Sequence, residues 1–166
     1  MNIFVLDLNP EIAAKYHNDK HVVKMILEST QMLSNAYYDN NKKIIEPEIL
    51  KSFPRLEGFY KPAHWNHPCS VWARENLDNW LWLFDLSVNL CQEYNSRYKK
   101  VHKCEQILKW MKKNIPPLTL NGLTDFAQAM PKKYNSKHIV KAYRNYYIGE
   151  KRNIAQWKNG KPWWYK

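Results

Sequence analysis

Three side chains that could carry out acid–base chemistry recur on one face of a predicted helix. The segment 18–38 contains neither Gly nor Pro, and the Asn–Asp pair at its start supplies a cap. His21, Lys24 and Glu28 follow one another at helical spacing, so they share one side of this helix. Because an imidazole ionises near neutral pH, His21 is a candidate general base or acid. Lys24 is a candidate partner for phosphoryl oxygens, and Glu28 a carboxylate that orients an imidazole.

The remaining positions of this helix are mainly apolar, so its polar residues form a narrow stripe. That stripe comprises Lys20, His21, Lys24, Glu28, Gln31 and Asn35. Charged groups surrounded by core positions predict a cleft that they line. The alternative is an ordinary exposed edge, because Lys and Glu four residues apart are common on helices and stabilise them by only about 0.2–0.5 kcal/mol.

The segment 61–74 is the second place where chemically useful side chains concentrate. Pro68 suits the first turn of a helix, and Asn66 or His67 can act as its cap. Unpaired N–H groups at a helix start, beside imidazole, guanidinium and indole groups, indicate a phosphate or nucleotide site. The alternative is a capped helix with aromatic packing. The candidate binding residues of this segment are His64, His67, Trp72 and Arg74. His67 is also the second candidate acid or base.

Histidines and cysteines raise the question of a metal site. His64, His67 and Cys69 lie close in sequence, and His17 with His21 has the four-residue spacing that can chelate zinc. No recognised metal-binding spacing is completed, so we expect neither a metal nor another cofactor. The four glycines form no phosphate-binding loop and no dinucleotide fingerprint.

Aromatic and basic residues alternate in the last predicted helix and in the segment after it. Tyr143 and Arg144 are the candidate binding residues of this helix, and the chain continues to the sequence KPWWYK. Such interleaving supplies stacking and charge to a nucleotide or a single strand. For Trp163 and Trp164 we favour the alternative, docking as hydrophobic anchors, because tryptophan is abundant throughout this chain. Asp7 is either a pocket carboxylate or a helix cap.

The elements that must position these residues are predicted from capping and breaking signals. An extended run at 1–8 precedes a helix capped by Asn9, with Pro10 at its first position. Further helices are predicted near 48–52, at 71–99, at 103–114 and after a cap at Asn135 or Ser136, with a single turn capped by Thr124. The sequence therefore predicts a mainly α fold. We expect a compact single-domain helical bundle spanning 1–166, with a short N-terminal extended segment and long loops.

Composition narrows the class of partner. The 166 residues include 26 basic and 15 acidic side chains, for a formal charge of +11, and 14% of them are aromatic. This charge indicates a polyanionic partner such as a nucleotide or nucleic acid. An odd number of cysteines and the lack of a signal-peptide pattern predict a cytoplasmic protein with free thiols. No apolar run is long enough to cross a membrane, and a homo-oligomer is left open.

The chain also resembles a family of small proteins encoded by tailed phages and large DNA viruses. The resemblance runs nearly end to end, through DKHVVKM at 19–25 with Glu28, NHP at 66–68 with Trp72 and Arg74, AMP at 129–131, Tyr143-Arg144 with Tyr146-Tyr147, and Pro162-Trp163. It implies a viral protein that acts in the host cytoplasm. Such proteins are grouped with pyrimidine-dimer DNA glycosylases, which attack through the α-amine of the residue after a removed Met. Asn2 is too large for the usual removal, whereas Glu28 would match the catalytic glutamate of that class.

Four functions compete on these observations. The first is metal-independent cleavage of a nucleotide or nucleic-acid phosphodiester, possible substrates including a cyclic nucleotide immune signal of the host, with His21 and His67 as base and acid. The second is a binding protein that sequesters such a nucleotide without chemistry. The third is a DNA-repair glycosylase, and the fourth is a helical structural or interaction protein. The residues assigned to binding in the first are Lys20, Lys24, His64, Trp72, Arg74, Tyr143 and Arg144, with Glu28 assigned to catalysis.

Overall fold

The computed structural model describes residues 1–53 and 59–166, and within them the chain is helical. The α-helices are α1 (Pro10–Tyr16), α2 (Asp19–Ser34), α3 (Pro47–Lys51), α4 (Pro68–Ala73), α5 (Leu77–Tyr98), α6 (Glu105–Lys113) and α7 (Ile139–Glu150). The described part of the chain contains no β-strand, only an isolated bridge between Tyr38 and Ile44. The predicted mainly α fold is therefore confirmed. The predicted connection at 39–62 lies partly outside the described residues, at 54–58.

Asparagine caps begin the first two helices at the predicted residues. The Asn9 side chain accepts hydrogen bonds from the N–H groups of Glu11 and Ile12, and Pro10 occupies the first turn of α1. The Asn18 side chain accepts from the N–H of His21, which begins α2. Each cap satisfies donors that the helix itself leaves unpaired and stabilises it by about 1 kcal/mol. The residue at which α2 begins is therefore set by a contact between Asn18 and His21, three residues apart.

Helices α2 and α5 form the centre of the core. The apolar side of α2 packs along α5, and both contribute fully buried side chains. The Trp80 indole N–H donates to the Leu33 carbonyl at 3.1 Å, which joins the two helices by a hydrogen bond as well. Each large apolar side chain buried here stabilises the fold by about 1.5–3 kcal/mol. This packing holds α2 rigidly, with its polar stripe turned away from α5.

The first residues of the chain are extended but pair with no strand in the described structure. Ile3, Phe4, Val5 and Leu6 are buried among the helices, which covers the apolar run that the sequence places there. The Asn2 side-chain amide donates to the Ala129 carbonyl at 2.8 Å. The start of the chain is thereby held against α2 and against the segment that precedes α7.

A buried arginine joins the end of α5 to the junction of α1 and α2. The Arg97 side chain is fully buried and pairs with Glu93 at 2.7 Å and with Asp19 at 3.1 Å. Its guanidinium also donates to the carbonyls of Lys15 and His17. A buried charge is tolerated only when it is paired and its donors are satisfied, and both conditions hold here. Arg97 is therefore a structural residue that clamps the start of α2.

Three predicted helix boundaries differ in the structure. The helix predicted at 71–99 is two helices, because Asn76 caps α5 through the N–H of Asn79 and α4 ends before it. The predicted turn at Thr124 does not form, since the backbone N–H of Thr124 donates to Asn79 instead. The last helix begins at Ile139, later than predicted. The difference at Thr124 arises from a contact distant in sequence, whereas the break before α5 arises from the local cap at Asn76.

No helix in the described part of the chain combines the length and apolar character needed to cross a bilayer.

Candidate functional site

A small cavity opens where α2, α7 and the first residues of the chain meet. Its volume is about 170 Å³, and we call it the N-terminal cleft. The lining residues are Met1, Asn2, Phe4, His21, Lys24, Met25, Glu28, Ala129, Tyr146 and Lys151. Three of the predicted site residues, His21, Lys24 and Glu28, therefore lie in one cavity.

Glu28 is a nearly buried carboxylate in this cleft, only 8% exposed. It accepts a hydrogen bond from the backbone N–H of Asn2 at 3.1 Å, and the Met1 nitrogen lies 3.7 Å away. The Lys24 ammonium lies 3.3 Å from its other oxygen. A carboxylate surrounded by donors is held in one orientation, with lone pairs left to accept further hydrogen bonds.

His21 is oriented by an aromatic ring and a hydroxyl group. Its ring stacks on Phe4 with centroids 4.5 Å apart, and its Nδ1 lies 2.6 Å from the Tyr147 hydroxyl oxygen. The backbone N–H of Asn18 donates to the same hydroxyl at 3.4 Å, so the Tyr147 O–H is free to donate to His21. Neutral His21 then carries its own proton on Nε2.

Burial also determines the charge of His21. Burial lowers the pKa of His21 to about 3, and electrostatic repulsion from Lys151, Lys24 and the protonated form of His17 acts in the same direction. The imidazole is therefore neutral at pH 7. Proton transfer is most efficient when the pKa lies near the working pH, so in the unliganded protein His21 is a hydrogen-bonding group rather than an effective general base.

Lysines and aromatic rings form the rim and wall of the cleft. The Lys24 side chain is largely exposed, and the Lys151 ammonium lies 4.9 Å from the centre of the Tyr146 ring. The Phe4 and Tyr146 rings are nearly parallel, with centroids 6.0 Å apart. Two cations thus stand beside an aromatic wall, the combination used to bind phosphate and stack a base.

His67 lies near the cleft but does not line it. It caps α4 as predicted, and its Nδ1 accepts from the backbone N–H of Cys69 at 3.2 Å. Burial lowers the pKa of His67, the chain's N-terminal amine and His64 lower it further, and Glu28 opposes them. The Cys69 thiol donates to the Asn2 side-chain oxygen at 3.6 Å, so the segment of His67 contacts a residue that lines the cleft. Of the His67 ring, only Nε2 remains available to a ligand.

The other predicted residues of segment 61–74 serve the fold or face solvent. Arg74 lies over the Trp65 ring at 4.0 Å and donates to the Trp65 carbonyl at 2.7 Å. Trp72 is only 4% exposed and stacks on Phe126. His64 is exposed, with its backbone in the left-handed region. The structure therefore does not bring these three side chains into the cleft.

The predicted residues of α7 lie elsewhere too. Tyr143 is fully buried, and its hydroxyl donates to the Ala127 carbonyl at 2.7 Å. Arg144 donates to the Leu6 carbonyl and pairs with Asp7 at 3.2 Å. Asp7 also accepts from the backbone N–H of Asn9 at 3.0 Å, just before α1, but Asn9 itself caps this helix and Asp7 does not line the cleft.

Lys20 is exposed, on the first turn of α2 but outside the cleft. Seven lining residues of the cleft were not among the predicted site residues: Met1, Asn2, Phe4, Met25, Ala129, Tyr146 and Lys151. Tyr146 and Lys151 belong to the aromatic and basic pattern around α7, and that pattern could have indicated them as binding residues. Nothing in the sequence distinguishes Asn2 and Phe4 from ordinary residues of an extended, buried run.

The part of the chain described by the structure contains no cluster of three or more His, Cys, Asp or Glu side chains able to hold a metal ion. The His17–His21 pair does not chelate in this geometry. His17 is fully buried and its Nδ1 lies 2.7 Å from the Ala13 carbonyl, whereas His21 is bonded to Tyr147.

The fold and cleft define a mainly α protein with a basic, aromatic-lined cavity. Comparisons with protein-family models, with curated proteins and with solved structures found no match to the chain.

Proposed function

We propose that the N-terminal cleft binds a nucleotide or one nucleotide unit of a nucleic acid. The observation that carries this proposal is the meeting, in one cavity, of two lysines, two aromatic rings and a nearly buried carboxylate. These groups come from α2, from the start of the chain and from the end of α7. A solvated helix face would not gather them.

Each group has a role that suits a different part of a nucleotide. Lys24 and Lys151 supply positive charge for the phosphate. Tyr146, which is half-buried beside Lys151, provides ring surface against which a base or sugar packs, whereas Phe4 is 3% exposed and supports the His21 ring from inside the fold. Glu28 accepts hydrogen bonds from base N–H groups or ribose hydroxyls, since its oxygens are acceptors only. The formal charge of +11 favours the approach of an anion to any part of the surface.

The state of His21 favours binding without chemistry. A neutral imidazole fixed by the Tyr147 hydroxyl offers an N–H to a phosphate or a base. Because the imidazole is neutral, its burial does not require the desolvation of a charged group. His67 has one nitrogen committed to its helix cap. This supports a protein that sequesters its nucleotide.

Cleavage of the bound phosphodiester is a second candidate, supported by the contact between the segment of His67 and the cleft residue Asn2, to which the Cys69 thiol donates at 3.6 Å. A phosphate bound beside His21 would favour its charged form and raise its pKa towards neutrality. His21 and His67 could then share the roles of acid and base, with no metal required.

Ligand-dependent stabilisation tests the binding proposal. The purified protein is heated with mono-, di- and cyclic nucleotides and with short single strands, in the presence and absence of EDTA. A true ligand at about 100 times its Kd adds about 2.7 kcal/mol to the free energy of unfolding. We expect Lys24→Ala to weaken binding about tenfold, corresponding to about 1.4 kcal/mol for a charged hydrogen bond.

Lys20→Ala is the matched control, because Lys20 lies on the same helix but outside the cleft. Equal affinity in the Lys24→Ala and wild-type proteins would disprove binding at this cleft. Product analysis of the same samples separates the two candidates. Turnover that survives EDTA and is lost in His21→Asn supports cleavage, and stabilisation without product supports sequestration.

A further inference from the structure

Two adjacent tryptophans near the end of the described chain have opposite environments. Trp164 is 8% exposed and Tyr165 equally buried, so both dock onto the fold as hydrophobic anchors. Trp163 is 76% exposed. Tryptophan is enriched at interfaces, so the exposed indole of Trp163 is a candidate contact for a partner.

The exposed ring of Trp163 is held in a fixed position. Its indole N–H donates to the Tyr16 hydroxyl at 3.2 Å. The Arg144 guanidinium lies 5.5 Å from the ring centre, and Arg144 is itself anchored by Asp7 at 3.2 Å. A ring that is already oriented loses little freedom when a second ring stacks on it.

A groove of about 420 Å³ begins at this ring, and we call it the tail groove. Lys15, Tyr16, Lys161, Pro162 and Trp163 are among the residues that line it. The tail groove shares no lining residue with the N-terminal cleft.

The charge around the tail groove is positive. Lys158 and Lys161 are exposed, and in the described part of the chain neither ammonium group forms an ion pair, although the Lys158 backbone N–H donates to the Asp19 carboxylate at 3.1 Å. The Lys158 ammonium lies 4.4 Å from the Tyr98 ring centre. The carboxylates on this side are already engaged: Glu93 and Asp19 pair with Arg97, and Glu11 pairs with Lys15.

We propose that the tail groove binds single-stranded nucleic acid, with one base stacked on Trp163 and the neighbouring phosphates paired with Lys158 and Lys161. Stacking on an indole tolerates any base, and exposed lysines follow a phosphate backbone without reading its sequence. This site is separate from the N-terminal cleft and does not depend on the function proposed for it.

Fluorescence anisotropy with a labelled oligothymidylate tests the proposal on the full chain. Base stacking contributes about 1–3 kcal/mol, so Trp163→Ala should weaken binding about 5- to 150-fold, and Trp163→Phe should retain most of the affinity. Lys158→Ala with Lys161→Ala should reduce the slope of log K against log salt by about 1.4, since each single-strand phosphate contact contributes about 0.7.

Leu120→Ala is the matched control. Leu120 is 68% exposed but lies near the start of α5, where Asp78 accepts from Asn121, whereas the tail groove lies near its end. Heparin serves as a polyanion without bases, and its affinity should be unaffected by Trp163→Ala.

Three results would overturn the proposal. The first is wild-type oligothymidylate affinity in Trp163→Ala, and the second is an equal loss of heparin and oligothymidylate binding in that variant. The third is binding to anionic lipid vesicles, but not to the oligonucleotide, that requires Trp163. Thermal unfolding of each variant confirms that an exposed side chain was changed without loss of the fold.

Discussion

The N-terminal cleft and the segment 61–74 contain similar residue types but use them differently. In the cleft, His21, Lys24 and Glu28 surround open volume. In the segment 61–74, Trp72 is buried in the core and the Arg74 guanidinium donates a hydrogen bond to the Trp65 carbonyl. The comparison shows that chemically capable residues form a candidate site only where packing leaves a cavity between them. Where packing is complete, the same side chains become caps, clamps and core.

Acid should produce the largest effect, and it should act through the cleft. Burial lowers the pKa of His21 to about 3 and that of His17 to about 4, below the value near 6.5 of an unfolded histidine. The unfolded chain therefore binds more protons, so the stability contribution is complete above pH 6.5 and is lost as pH falls towards 4. The loss is on the order of 4 kcal/mol for His21 alone if the fold persists to pH 3.

Urea unfolding at a series of pH values between 7 and 4 measures this loss. We expect His21→Asn to flatten the dependence of the free energy of unfolding on pH, because one buried imidazole is removed. An unchanged pH dependence in that variant would show that His21 is accessible to protons in the folded protein. The difference between the N-terminal cleft and the segment 61–74 would then rest on packing alone.

Substitution of Trp72 should have the next largest effect, on stability alone. Trp72→Ala removes a buried ring stacked on Phe126 and should cost about 3–5 kcal/mol of unfolding free energy. Trp163→Ala is the matched control, since an exposed side chain usually changes stability by less than about 0.5 kcal/mol. Denaturant unfolding measures both. If Trp72→Ala were fully stable but failed to bind nucleotide, Trp72 would be a binding residue after all.

His67 gives the smallest and sharpest test, because its cap role and a catalytic role respond differently to substitution. His67→Ala should cost about 1 kcal/mol through loss of the cap, and His67→Asn should restore that stability, since asparagine is a good cap. Chemical denaturation measures the two variants. Turnover that vanishes in the stable His67→Asn protein would move His67 from the structural group to the catalytic one.

The predicted site residues that line one cavity are those that lie on one helix. His21, Lys24 and Glu28 share a face of α2, and helical periodicity alone brings them together. Lys20 lies on the same helix but outside the cavity. Helical periodicity does not distinguish a residue that lines a cavity from one on an exposed edge. The environment of Arg144 could not be predicted from helical spacing. Its guanidinium lies near Asp7 and three aromatic rings, which belong to segments distant in sequence.

The sequence alone determined the helical class and the starts of α1, α2 and α4. Those features depend on Asn9, Asn18 and His67, whose capping contacts reach only two or three residues along the chain. Only the tertiary structure decided which polar residues enclose a cavity, because Phe4 and Lys151 meet from opposite ends of the chain. It also decided that Trp164 is buried while Trp163 faces water, although the two residues are chemically identical neighbours. Long-range packing distinguishes such residues, and local propensity does not.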